Sequence, residues 1–326
     1  MIRYVGRRLL IIPLALILVI TLAYAYAHIV QWDYAGRYPQ LYSRLKVTQR
    51  PESLIEAFRI YVNGLAQADL GTLRNGKPVA AVLGQALIAS LGLLAAAMGL
   101  SVPCGLILGI FSARWRRLRP ARWLTVVSTV GLAMPSFYIG SLLILLSVAL
   151  ALAQGGGRGL PFPIAGFGWD EHMVFPVIAV MLRPTVQIAQ VTGTLLTEEL
   201  QKTYVSAARS LGHTWTTIKR RLAFRNVLAP VMLTIAGSLR TLVTDLILVE
   251  WLFFWPGVGR FLASALIPAG RTDMVNSPYF LHPEFTTALL ASVTLIFLTA
   301  DFVASVLVRV FDPRLRVPVQ GEVADV

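Results

Sequence analysis

Residues 197–230 read TEELQKTYVSAARSLGHTWTTIKRRLAFRNVLAP, a polar, helix-favouring run set between two strongly apolar ones. Ala207, Ala208 and Leu211 recur at helical spacing, among Lys202, Ser206, Arg209 and Ser210. Gly212 breaks the run, because glycine costs a helix interior about 1 kcal/mol against alanine and accepts the turn that follows. A second short helix restarts after Thr214, with Trp215, Ile218 and Leu222 on one side and Lys219, Arg220 and Arg221 on the other. Two short amphipathic helices inside a greasy chain have the form of a docking knob for a soluble partner.

The rest of the chain sets the context of that knob. A length of 326 residues would ordinarily suggest two soluble domains, but a hydrophobic fraction of 56% with only 14% charged residues points to a polytopic membrane protein. The net charge of +13 is read as topology, since Lys and Arg concentrate on cytoplasmic loops. No basic stripe with interleaved aromatics stands apart from the apolar runs, which argues against nucleic acid as a partner. The single Cys104 lies within an apolar run, which excludes disulfide frameworks and multi-cysteine metal sites.

Apolar runs long enough to cross a bilayer fall at about 9–29, 82–111, 124–153, 174–195, 226–250 and 286–311. Ala23 to Ala27 imitates a signal-peptide cleavage site, but the first run is long enough to span and is expected to be an uncleaved helix. Residues 31–80 form an external segment with an amphipathic piece around Leu54 to Leu65. Within it, Gly71 to Lys77 imitates a P-loop, yet Pro78 stands where Ser or Thr should bind magnesium and no buried strand precedes it. Gly105 and Gly109 give the second span a close-approach face, and Pro135 lies near the middle of the third. Six spans put both termini and the 197–225 loop on one side, together with Arg3, Arg7, Arg8 and the arginines at 114, 116, 117, 119 and 122. By contrast, the two short outer loops hold only Arg158, Arg260 and Arg271, so positive charge marks the first side as cytoplasmic.

No nucleophile–base pair and no ligand-spaced cluster appears, and His28, His172, His213 and His282 are far apart in the sequence. The site candidates are instead charges inside apolar spans, where an ionisable group costs a few kcal/mol or more unless paired or hydrated. Arg183 shares the fourth span with Pro184, Gln187 and Gln190; Arg240 and Asp245 lie in the fifth, and Asp301 in the sixth. Two readings stand: some of these line a polar path, or they pair between helices, as Arg183 could with Asp245. Met134, Pro135 and Ser136 similarly read either as a gate at a helix kink or as a proline bend packed in the core.

Ser206-Ala207-Ala208, three further residues and Gly212 are similar to the EAA loop of bacterial ABC-importer membrane subunits, with Ser206 in place of the usual acidic or polar residue. YVSAARSLGHTWTTIKRRLAFRNVLAP as a whole resembles the dipeptide/oligopeptide/nickel permease branch. So do Ala68-Asp69-Leu70-Gly71, GLAMPSFYIG at 131–140, VEWLFFWPGVGRFL at 249–262 with its Pro256-Gly257 turn, and DPRLR at 312–316. Two departures stand out: Trp32-Asp33-Tyr34 replaces a proline-glycine-aspartate-proline signature, and a longer loop fills Ile267 to His282.

The resemblance implies an all-α, six-helix transmembrane domain of the type I ABC importer fold, a single unit over 1–326. It implies a coupling helix after Gly212, with Ala207, Ala208, Gly212, Trp215, Ile218 and Leu222 engaging an ATPase subunit. Arg183, Arg240, Asp245, Met134, Pro135 and Ser136 are then candidates for the substrate path or gate, with Pro256 and Gly257 in an external segment. Expected partners are a second, homologous permease subunit, ATPase subunits, an extracytoplasmic substrate-binding protein and membrane lipid. The chain itself holds no cofactor; ATP and magnesium belong to the partners. The expected place is the bacterial cytoplasmic membrane, and the expected substrate a peptide, with oligosaccharide or a nickel chelate as alternatives. A stand-alone secondary transporter or channel fits less well, since no inverted halves are visible and the docking loop would have no use.

Overall fold

The computed structural model describes residues 2–37, 53–115, 119–155, 162–267 and 277–311; within these the only β pairing is an isolated bridge between Thr72 and Pro78. DPRLR at 312–316, Arg116, Arg117, Arg158, and 268–276 of the long loop, with Arg271, lie outside the described residues. The main helices are α1 (Ile2–Arg37), α2 (Leu54–Ala66), α3 (Val79–Ser112), α4 (Arg122–Ala133), α5 (Ser136–Ala153), α6 (Val174–Glu199), α7 (Thr203–Ser210), α8 (Phe224–Leu252), α9 (Val258–Leu266) and α10 (Pro283–Phe311). A short turn of helix, Trp215–Thr217, and a π-helical turn, Ile218–Ala223, lead without interruption into α8. Six stretches, carried by α1, α3, α5, α6, α8 and α10, are long and apolar enough to cross a membrane. This is the expected all-helical, six-span membrane protein.

The third expected span, 124–153, is not one helix. It divides at Met134 (φ −90, ψ 122) and Pro135 (φ −64, ψ 149), both extended, into the 12 residues of α4 and the 18 of α5. Proline lacks an N–H and drives the residue before it out of the helical region, so the ladder stops here.

Helix α6 is central, packing against α3, α4, α5 and α8, while α1 lies at the periphery against α10. The α3 face turned to α6 is built from small residues, including Ala97, Ser101, Gly105 and Gly109. A Cβ at Gly105 would lie 2.8 Å from the Thr185 carbonyl, and one at Gly109 2.8 Å from that of Ala189, so only glycine admits this approach. Ser101 Oγ adds a bond across the interface to the Met181 carbonyl at 3.0 Å. On the outside, Leu10, Leu14, Ile17 and Leu18 of α1 are exposed, as lipid-facing side chains are. Two apolar clusters close the bundle. One holds Val79, Val258, Leu262, Phe285 and Leu289; the other, at the far end, holds Leu196, Leu200, Val205, Ile218, Ala223 and Val227.

Candidate functional site: a docking loop and a polar helix face

The loop between α6 and α8 is a mounted platform. Val205 and Ala208 of α7 are buried in the cluster at the bundle's end. Helix α7 stops in a Schellman arrangement, with Gly212 N–H on the Arg209 carbonyl (3.0 Å) and His213 N–H on the Ala208 carbonyl (3.2 Å). Gly212 takes φ +86, a left-handed conformation that costs other L residues about 1–2 kcal/mol. Thr214 then caps the next turn, its Oγ1 accepting the Thr217 N–H at 3.3 Å. Trp215 packs on Trp115 at 4.5 Å between ring centroids, with the Arg209 guanidinium 5.3 Å from its ring. Lys219 Nζ donates to the Ala113 carbonyl beyond the end of α3 at 2.6 Å, where a cation is favoured. Glu199 accepts from Lys202 (2.5 Å), Tyr204 (2.9 Å) and Asn226 (2.8 Å), tying the loop's two roots together. Burial first, and then that bond to Glu199, raise the Tyr204 hydroxyl to about 12, so it stays a donor.

The helical-wheel grouping of Trp215, Ile218 and Leu222 does not survive as one face. Across the π turn, residues five apart align rather than four apart, so Ile218 and Ala223 are both fully buried while Leu222 is exposed. The apolar side chain that the platform presents is Leu211, 79% exposed, beside exposed Ala207, Gly212 and His213. Arg209, Arg220, Arg221 and Arg225 are exposed around it.

The second feature lies on α6. Its neighbours cover most of it, and the face left open carries Arg183, Gln187, Gln190, Thr194 and Glu198 at successive turns. Arg183, Gln187, Gln190 and Thr194 line a cavity of about 630 Å³ together with Val191 and Leu195 of the same helix, Thr241 of α8 and Leu132 of α4. Arg183 Nη1 stands 3.9 Å from Asp245 Oδ2, and the same oxygen accepts from Ser136 Oγ at 2.6 Å. The fold therefore brings Arg183, Asp245 and Ser136 together beside the Met134–Pro135 break. Arg240 is not among them; its Nε lies 2.6 Å from Asp301 Oδ1 of α10. Gln187, Gln190, Thr194 and Thr241 were not singled out from the sequence as a site, although the spacing of the first three with Arg183 on α6 was the available signal.

At the opposite end from the docking loop, Pro256 and Gly257 make the turn from α8 into α9. Glu250, fully buried in the last turn of α8, accepts from Ser90 Oγ at 2.5 Å and from the Gly259 N–H at 2.7 Å. Ser90 Oγ in turn accepts the Val258 N–H at 2.9 Å, and buried Trp255 donates Nε1 to the Ala89 carbonyl at 3.0 Å. Arg260 Nη1 donates to the Phe254 carbonyl at 2.5 Å, closing the turn from outside. The four histidines sit on separate elements, and no group of three His, Cys, Asp or Glu converges among the described residues.

A multi-pass helical bundle with a structured polar loop at one end and a polar face on its central helix has the build of a membrane transport component. Residues 105–317 match the family described as the binding-protein-dependent transport system inner membrane component, and the chain belongs to it. The dipeptide transport system permease protein DppB of Lactococcus lactis is 26% identical over 322 residues, covering 97% of this chain and all of the relative. The di/tripeptide transport system permease protein DppB of Pseudomonas aeruginosa is 30% identical over 284 residues, 81% of each chain. The putrescine export system permease protein SapB of Escherichia coli is 30% identical over 242 residues, 66% of this chain and 74% of the relative.

Proposed function

We propose that this protein forms one half of the translocation path of an ATP-driven peptide importer. The observation that carries the reading is the open face of α6: Arg183, Gln187, Gln190, Thr194 and Glu198 stand on it at successive turns, with half-buried Val191 and Leu195 at its edge. Facing lipid, such a stripe would leave an arginine and two carboxamides unsatisfied, each at a cost of a kcal/mol or more. Facing a second, homologous subunit across water, the same stripe lines a channel. Glutamine side chains both donate and accept, as a peptide backbone does, and the Arg183 guanidinium suits a terminal carboxylate.

ATP hydrolysis is assigned to partner ATPase subunits seated on the Leu211 platform, and delivery to an extracytoplasmic binding protein at the far end. An apolar knob rimmed by four arginines asks for an apolar pocket with an acidic rim. In this reading the docking loop and both termini are cytoplasmic. The test is reconstitution of the complex in lipid nanodiscs and proteoliposomes. Peptide uptake should depend on ATP and binding protein, and a cysteine at Lys77 should label from outside while one at Ser210 should not. Labelling in the reverse pattern would overturn the topology, and uptake without ATPase subunits would overturn the mechanism.

A further inference from the structure

A fully buried carboxylate at the end of α8 is not used by the docking loop or by the polar path. The helical run that begins at Trp215, inside the docking loop, continues for 38 residues to Leu252, about 57 Å at 1.5 Å per residue. Glu250 sits in its last turn. The first amides of α9 lack intrahelical acceptors, and the N-cap position, Gly257, has no side chain to supply one. Glu250 supplies it for Gly259, and Ser90 of α3, itself bonded to Glu250, supplies it for Val258. The positive end of the α9 dipole faces the carboxylate, which favours the contact further.

The fit leaves no slack. A Cβ at Gly257 would collide with the Glu250 carboxylate, and one at Gly259 would lie 2.5 Å from the Ile247 Cα. Apolar contacts alone would let α9 slide over α3 and α10, since dispersion is not directional. A hydrogen-bonded carboxylate fixes both direction and register.

We propose that Glu250 is a positioning residue that locks α9 to the end of α8, so that displacement of the docking loop is delivered to α9 at the opposite face. The lock makes the external helix, α8 and the α3 end move as one body during the transport cycle. This rests on the importer reading given above.

The experiment uses the assembled complex in nanodiscs, with Cys104→Ser as background and spin labels at Ser264→Cys on α9 and at exposed Thr203→Cys, at the start of α7 in the docking loop. Each is measured to a label at Ile29→Cys on peripheral α1, with and without trapped nucleotide. In the unmodified complex both distances should shift. Glu250→Gln places an amide N–H against the donors it now accepts from. In that variant the Thr203 distance should still shift, the Ser264 shift should fall by about half or more, and transport should fall about tenfold with ATP hydrolysis retained. A purely structural role would lower assembly and both shifts together. An unchanged Ser264 shift with wild-type transport would overturn the proposal. Should Glu250→Gln fail to assemble, Ser90→Ala is scored the same way: uncoupling supports the lock, wild-type behaviour refutes it, and failure of both variants to assemble also refutes it. Failure of the importer reading itself would appear differently, as no binding-protein-stimulated hydrolysis and no Thr203 shift in the unmodified complex.

Discussion

Leu211 and Ile218 lie seven residues apart in the loop between α6 and α8, and their surroundings are opposite. Leu211 is 79% exposed, whereas Ile218 is fully buried among Leu196, Leu200, Val205 and Val227. Leu211→Ser should therefore leave the permease as stable as before, because the side chain touches little within the chain. If an ATPase subunit buries it, the loss is the burial term of about 1.5–3 kcal/mol for a leucine, scaled by the exposed fraction to about 1–2.5 kcal/mol. That corresponds to a roughly five- to seventy-fold weaker dissociation constant for the ATPase subunit. Ile218→Ala should do the reverse. It opens a cavity at the root of the loop and costs about 2–5 kcal/mol of fold stability, with ATPase affinity falling only as far as the platform itself loosens. Thermal denaturation of the purified permease, paired with a titration of ATPase subunits onto nanodisc-embedded permease, separates the two. A Leu211→Ser permease that binds ATPase with wild-type affinity would refute the assignment of this side chain to the interface.

Other consequences can be checked independently. Replacing Gln187 and Gln190 together by leucine should cut peptide transport severalfold while leaving assembly with the ATPase unchanged, because both side chains point into the cavity rather than into protein; normal uptake by this variant would remove the α6 face from the path. Gly109→Val should lower the denaturation midpoint through about 1–3 kcal/mol of overpacking against the Ala189 carbonyl, whereas Gly237→Ala, which meets nothing within 4 Å, should not. His282 offers a pH test: burial first, and then the Arg74 charge, push its imidazole from 6.5 down to about 4, so it is neutral in the fold. Below the ordinary value the unfolded chain binds a proton that the folded one does not. Stability should thus fall as pH drops from about 6.5 to 4, by up to about 3 kcal/mol. Glu284, 3.9 Å from the ring, offsets part of this, and His282→Gln should flatten the profile.

The spans and the docking loop could be read from the sequence because hydropathy and helical period are local properties, and Gly212 marks its own turn. What escaped depended on tertiary contacts. Six prolines, at 13, 103, 135, 176, 184 and 230, lie in the apolar runs, and five of them sit within helices. Pro135 alone ends one, where Ser136 is drawn onto Asp245 from a helix over a hundred residues later. Helical spacing grouped Leu222 with Ile218, and a π turn, which no residue type announces, separated them. Glu250 looked like the polar end of a span, and only the return of the Pro256-Gly257 turn over Ser90 shows what it holds. Of the four intramembrane charges, Arg183 and Asp245 were the suggested pair and do approach, while Arg240 finds Asp301 instead.

The break between α4 and α5 has a consequence for how the membrane stays sealed. The last four carbonyls of a helix have no donor within it, and Pro135 brings none. These groups lie level with Arg183 and Asp245, about 14 Å along α6 from its start at Val174. In hydrocarbon each would cost several kcal/mol, and the cavity that Leu132 helps to line is the place where water can reach them. A subunit standing alone would hold that water open toward the bilayer, giving protons a low-barrier route through half the membrane. On the importer reading, an opposing half that covers the cavity would serve energy conservation as well as transport. Cells that make this chain without its counterpart should show a proton leak, or should degrade the orphan.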